Sequence, residues 1–429
     1  MGEMPSAPPG DTPASPQAPA KARKHNPADL AWVVSTNYGE GLPWSFIHQM
    51  ATDYLTAIRA PIAQVGYTSW LHLAGVLKFV WSPIVDLAGR KRTWMVALQV
   101  LIGLGMLVIA SISKGGTETL ATFWIALGVL AVLHSTHDIA CDGYYLIKLN
   151  RSDQAFYVGP RVIAFKLATL TGTSLLIALA GARSWPVGFG AAAVIMTLVG
   201  LVNVVIVPRV DEPKQRASGP AIGERARAFV EAYRTFFDQP RMVPVLAFIL
   251  TIKLGDIMMF AMSRPMLRDI GVTTEQRGWL GLPTQIFSIA GAAVAGGMIS
   301  RWGIKRMLVP IVYFMNLAIP LYAVLAWTAP PFWVVICLVS IEQFAGGMGQ
   351  AAQQVYLMQR VRRAFSASHY AFATALTAVG TTFSGAFSGT LYGAVGMRWY
   401  FILCLGFGLP SMILSLIVPK TPVEADSGK

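Results

Sequence analysis

Two histidines and two aspartates stand close together at His134, His137, Asp138 and Asp142, inside an otherwise apolar stretch that runs on to Gly143, Tyr144 and Tyr145. Their spacing puts all four roughly on one stripe of a helix. Three chemistries fit such a stripe. An acid in low dielectric holds its proton more tightly, so the aspartates suit a proton relay or a substrate-facing pair. The same groups could instead brace neighbouring helices as a polar network. A metal ion fits least, because one short stripe supplies too little of a closed coordination shell. No metal site and no cofactor are expected.

Other ionisable groups recur in apolar surroundings, where an insertion cost of about 2.5–3.5 kcal/mol per charge must be offset by pairing, water or function. Glu40 lies in Asn37-Tyr-Gly-Glu-Gly-Leu-Pro43, where glycines and a proline loosen the helix and free backbone groups to line a cavity. Lys78 shares a helical face with Ser82 and Asp86 and needs an acid from another helix. Lys166 either faces a cavity or snorkels to the nearer surface. Lys253 and Asp256, one turn apart, either face a solute or neutralise each other. Glu342 is followed by Gln343, Gln350 and Gln354 on one face beside Ala345, Gly346, Gly347 and Gly349. That row suits a cavity for sugar or peptide, or hydrogen bonding between helices. Tyr144 joins Glu40, Lys78, His137, Lys166, Lys253, Asp256, Glu342 and the three glutamines as a candidate solute contact. No nucleophile–base constellation stands out, so an enzyme is not expected.

The elements that must position these groups are membrane helices. The chain has 429 residues, is 54% hydrophobic and only 13% charged, and has a mean hydropathy of +0.54. Apolar stretches near the length that crosses ~30 Å of hydrocarbon recur throughout. Twelve spans are expected, at 30–55, 66–88, 93–112, 120–148, 157–182, 187–207, 241–267, 276–300, 306–327, 331–359, 366–393 and 397–418. They divide into six-helix halves at 28–207 and 241–419. Residues 1–27 read as a disordered cytoplasmic tail, 208–240 as a cytoplasmic linker and 420–429 as a second tail. Within the linker, Ile222 to Phe237 reads as a basic surface helix with Phe229, Tyr233, Phe236 and Phe237 on one side.

The net charge of +13 does not point to nucleic acid, because the basic residues sit in short loops between apolar segments. One set of loops holds only Arg59, Lys114, Arg183, Arg264, Arg268, Arg277 and Arg398. The richer set, with both termini, is expected in the cytoplasm. Cys141, Cys337 and Cys404 all fall in apolar segments and suggest no disulfide framework.

The chain also repeats itself. Asp86-Leu-Ala-Gly89-Arg90-Lys-Arg92 closes the second span, and Ser300-Arg-Trp-Gly303-Ile-Lys305-Arg306 closes the eighth. Glu40 of the first span is echoed by Asp256 of the seventh. Duplicated helical halves with ionisable groups inside are how two-lobed transporters are built, with the solute at the seam between repeats.

Several stretches resemble one known family when taken in order. They are Tyr38-Gly-Glu-Gly-Leu-Pro43, Lys78 to Asp86, His137-Asp-Ile-Ala-Cys-Asp-Gly143, Lys253-Leu-Gly-Asp256, Glu342 to Gly349 and Ser368-His-Tyr-Ala371. Together they resemble the AmpG-type permease and acetyl-coenzyme A transporter branch of the major facilitator superfamily. The resemblance implies an all-α fold of twelve helices in two pseudo-symmetric bundles. It further implies a proton-driven importer of the bacterial inner membrane that carries a muropeptide; a monomer is expected, with protons and the lipid bilayer as its other partners. It implies a functionally important acid at Asp138 or Asp142, with His137 in place of the usual glutamine, and a solute role for Arg161; proton coupling is expected at Asp138, Asp142 and Glu40. Asp86, Gly89, Arg90 and Arg92 resemble the family's gating loop, whose basic residues pair with acids on the inner surface. Siderophore import, drug or metabolite export, and a sensor that binds without transport are the competing readings.

Overall fold

The computed structural model describes residues 26–87, 89–209, 234–361 and 366–421. The expected tails up to residue 25 and beyond residue 421, and Phe229 and Tyr233 of the expected surface helix, lie outside these residues.

The first helix starts from a cap. Asn26 accepts the backbone N–H of Ala28 at 3.0 Å, and Pro27 occupies the first helical position, where its missing N–H is no loss. This helix, α1 (Pro27–Ser45), contains Pro43 and widens into a π-helical turn at Phe46–Met50 before α2 (Ala51–Ala57). The second expected span is not one helix. It is α3 (Ile62–Tyr67), α4 (His72–Leu77) and α5 (Ser82–Leu87), joined by 3-10 turns. Its polar side chains compete for the backbone: the Thr68 hydroxyl donates to Val65 O at 2.8 Å, and the His72 ring meets Ser69 O at 3.0 Å.

Next come α6 (Lys91–Ile112), α7 (Leu120–Lys148) and α8 (Arg151–Leu170). A second π-helical turn, Thr171–Leu176, leads to α9 (Ile177–Ala182), and α10 (Trp185–Ile206) ends the first half. The second half runs through α11 (Met242–Thr251) and α12 (Leu254–Asp269), which part at Lys253, then α13 (Thr274–Trp302). A capping box between Thr273 and Gln276 starts α13. The chain continues through α14 (Ile304–Ala318), α15 (Pro320–Thr328), α16 (Phe332–Gln359), α17 (Ser366–Val395) and α18 (Met397–Ile417).

Among the described residues, eight helical stretches are long and apolar enough to cross a bilayer; one of them, Lys91–Lys148, holds both α6 and α7. Leu101, Leu104, Leu107 and Val108 on α6, and Val194, Leu198, Leu201 and Val205 on α10, form exposed apolar faces of the kind that meet lipid tails. The internal repeat is visible in the backbone. Gly89 (φ 100°) and Gly303 (φ 77°) each turn the chain into the next helix through a conformation that favours glycine.

The hydrophobic core divides unequally. Near the chain ends each half has its own cluster. Trp32, Met95, Tyr144 and Val207 pack in the first half; Phe236, Phe248, Leu308 and Tyr356 pack in the second. Phe236 thus enters a protein core, not the lipid headgroups expected for it, and Phe237 lies against Phe372. At the opposite, distal end the two halves share one cluster, in which Tyr54, Phe123 and Phe189 are continuous with Met262, Tyr322 and Phe401. Glycines mark the seam there. A Cβ on Gly66 would meet the backbone of Gly389, and one on Gly278 would meet the backbone of Ala178. Thr56 O accepts from Arg268 Nη1 at 2.8 Å across the same seam.

A candidate transport site between the two halves

The π-helical turns of the first and fifth expected spans lie side by side, with Gly172 against Ser45. Such turns offset the side chains that follow them and are common at functional sites. Here His48 and Gln49 from the first turn and Thr173 from the second reach a cavity whose far wall belongs to the other half. The cavity has two lobes of about 150 and 70 Å³, which share Gln49, Phe260 and Arg264 in their walls. The larger lobe is walled by the His48 and His72 rings, stacked with centroids 3.9 Å apart, and by Trp44, Thr68 and Thr381. The smaller is walled by Thr284, Gln285, Tyr322 and Gln343.

The first half presents a cluster of acids. Lys78 is ion-paired with Asp138, so the cation finds its acid on another helix. Arg161 is ion-paired with Asp142, donates to Asn37 Oδ1 at 2.7 Å and lies 3.6 Å from Glu40 Oε2. Three carboxylates therefore face two cations, which leaves one carboxylate without a matching charge. Among the described residues Glu40 Oε2 is buried without a hydrogen bond, while the Asp142 side chain is 45% exposed. One end of the cluster is thus dry and the other is reached by solvent.

The second half repeats this with fewer groups. The helix break at Lys253 starts α12 so that Asp256 falls in its first turn, where the helix dipole favours an acid. Lys253 Nζ lies 2.7 Å from Asp256. Glu342, 0% exposed, accepts from Gln343 Nε2 at 2.9 Å, and its Oε1 has no hydrogen bond among the described residues. Gly346 sits between the two carboxylates: a Cβ there would lie 3.5 Å from Asp256 Oδ1 and 3.6 Å from Glu342 Oε1. Again one acid exceeds the cations. Each half has set an acid of its first expected span beside an acid of its fourth.

Several expected contacts fall elsewhere. His137 does not share the stripe of Asp138. It is fully buried, with Nε2 3.3 Å from Cys141 Sγ, because a step of one residue turns a side chain by about 100° around a helix. Tyr144 is buried under Trp32, with ring centroids 5.0 Å apart, and donates to Pro208 O at 2.7 Å. It therefore braces the end of α10 and does not line the cavity. Tyr144→Phe should cost about 1 kcal/mol of stability and leave solute affinity unchanged; thermal unfolding and binding titrations check both.

Gln343 lines the cavity; Gln350 and Gln354, on the same face toward the chain-end side, are exposed and absent from its wall. Lys166 forms no ion pair among the described residues. Of the gating residues, the side chain of Asp86 lies outside the described residues and Arg90 is exposed. Among the described residues Arg92 pairs with no acid. It donates to Val207 O at 2.8 Å and Val204 O at 2.6 Å, capping the free carbonyls at the end of α10.

Sequence reasoning missed one cluster. Asp53, 0% exposed, accepts from Arg277 Nε at 2.7 Å and lies 3.3 Å from Arg264 Nη1. Arg264 and Arg277 were expected in a polar loop, but Arg277 is only 1% exposed. The signal available was Asp53 itself, an acid amid Ala51, Tyr54 and Leu55.

The Lys78–Asp138 pair gives a direct check of the cluster. Lys78→Met should destabilise the protein by leaving Asp138 without its cation, and adding Asp138→Asn should restore part of the loss. A coupling of about 0.5–3 kcal/mol is expected from the double-mutant cycle.

The model of the Major Facilitator Superfamily matches residues 33–374. The chain belongs to the major facilitator superfamily. Its family and fold are those of membrane transporters, not of enzymes. A Haemophilus influenzae protein of uncharacterized function is 27% identical over 413 residues, covering 92% of this chain and 95% of that protein. The anhydromuropeptide permease of Escherichia coli is 25% identical over 404 residues, covering 91% of this chain and 80% of the permease. Among solved structures, a bacterial homologue of the human lysosomal transporter Spinster, inward-facing and unoccupied, superposes with a TM-score of 0.69 at 13% identity. That match covers 92% of this chain and 97% of the homologue, and it shows the shared fold.

Proposed function

We propose that this superfamily transporter imports a muropeptide across the bacterial inner membrane, coupled to protons, by alternating access. Twelve spans form two six-helix lobes, 28–207 and 241–419, which rock about the central cavity as a monomer. The observation that carries this reading is the charge mismatch inside each lobe; the acids themselves do not line the cavity, but Trp44, Ile257 and Gln343, within a turn of Glu40, Asp256 and Glu342, do. Three acids with two cations in one lobe, and two acids with one cation in the other, each have room for one proton. A proton taken up there removes the unmatched charge and lets the lobe move through low dielectric.

The chain ends lie on the cytoplasmic side. Of the basic residues assigned by sequence to the opposite side, Arg264, Arg268 and Arg277 all have acid partners, which weakens their pull on topology. The shared core then lies toward the periplasm and the separated cores toward the cytoplasm, as in a state open inward. The similarity to the anhydromuropeptide permease supports the choice of solute.

The test is uptake of radiolabelled anhydromuropeptide into proteoliposomes with an imposed inward proton gradient. Uptake should be several-fold above the gradient-free control and abolished by a proton ionophore, and Asp142→Asn should lose the gradient dependence. Uptake that ignores the ionophore and both Asp138→Asn and Asp142→Asn rules out the coupling.

A further inference from the structure

The Asp53 cluster has the opposite imbalance from the two acid clusters: one carboxylate faces two guanidinium groups. Arg277 is consumed by structure. Besides Asp53 it donates to Val272 O at 2.9 Å and Thr274 Oγ1 at 3.0 Å, and it is buried. Arg264 is not consumed. Its Nη1 donates to Arg277 O at 3.1 Å, and among the described residues no hydrogen bond engages its Nε or Nη2. The side chain lines both lobes of the cavity. Gln285 lines the smaller lobe with it, and the Gln285 Nε2 donor is buried without a partner among the described residues.

A guanidinium with free donors, an excess positive charge and an unsatisfied amide N–H in one wall are what a planar oxyanion needs. We infer that Arg264 and Gln285 form an anion subsite at the distal end of the cavity, which takes a carboxylate of the transported solute. This rests on the transport reading above and adds the solute's charge to it. The lobes are small, so the subsite holds an acidic end group while the rest of a larger solute extends toward the chain-end side. Asp53 holds Arg264 in place when the subsite is empty. An arriving carboxylate completes the charge balance without displacing it, and polar side chains of Gln49 and Gln343 remain for neutral parts of the solute.

The test uses calorimetric titration of the full-length protein in detergent with two matched pairs: anhydromuropeptide against its methyl ester, and citrate against trimethyl citrate. A charge-assisted hydrogen bond predicts that a free acid binds at least about tenfold tighter than its ester. Arg264→Gln should abolish that preference. Arg264→Lys, which keeps the charge, should retain part of it and covers the case in which Arg264→Gln does not fold. If the muropeptide pair does not bind but citrate shows an Arg264-dependent preference, the subsite stands and the muropeptide reading fails. Equal binding of acid and ester in both pairs, or a preference that survives Arg264→Gln, overturns the subsite; a purely structural Arg264 would give the latter.

Discussion

Asp53→Ala should lower the stability of the detergent-solubilised protein by roughly 3–5 kcal/mol, the range for removing one partner of a buried ion pair. Asp53 is the acid between Arg264 and Arg277, and neither Asp53 nor Arg277 reaches solvent. Alanine would leave the Arg277 guanidinium in low dielectric with only Val272 O and Thr274 Oγ1 as acceptors. The desolvation already incurred on folding would then have no opposite charge to offset it. Asp53→Asn keeps an acceptor for Arg277 Nε and should lose less. Equilibrium unfolding in mixed micelles measures both. A loss under about 1 kcal/mol for alanine would mean the cluster behaves as an exposed pair, and the distal seam would then be wet.

Gly278→Val should trap the transporter away from the state described here. The added Cβ would meet the backbone of Ala178 and Ser174 in the other half, and backbone cannot swing aside as a flexible side chain can. Overpacking of this kind costs about 1–3 kcal/mol. The cost falls on the distally closed state alone, because parting the halves relieves the clash. A bias of about 3 kcal/mol shifts a two-state population by roughly a hundredfold, enough to all but stop a cycle that must visit both states. Gly389→Val, which faces Ile62 and Ala63 across the same seam, should act alike. Spin labels at Arg183 and Arg398 read the outcome, and the distance between them should lengthen in either variant. An unchanged distance with full uptake would show that the glycines do not mark the moving seam.

What the chain reveals unaided follows from local physics. Lys78 announces its need for an acid simply by lying deep in an apolar stretch, and Asp138 meets it. The repeated loop shows in two glycines whose φ is positive in both copies. Glu40 and Asp256 are legible as echoes because the duplicated halves keep acids at matching positions. The errors arise where a side chain's direction depends on helix phase or on distant residues. His137 differs from Asp138 by one step around α7 and so faces Cys141. Tyr144 resembles a cavity residue until Pro208, far along the chain, is seen to accept its hydroxyl. Asp53 lies so far in sequence from Arg264 and Arg277 that no local pattern links them. The second expected span breaks into short helices because Thr68 and His72 compete for backbone carbonyls, and hydropathy does not register that competition.

Counterflow in proteoliposomes separates a carrier from every reading in which solute binds without crossing. Vesicles loaded with unlabelled anhydromuropeptide and diluted into labelled solute should accumulate label transiently, even with the proton gradient collapsed. An alternating-access carrier exchanges solute for solute, so the accumulation should disappear in Gly278→Val. Saturable binding of the label with no accumulation inside the vesicles would contradict transport and leave a membrane sensor in its place.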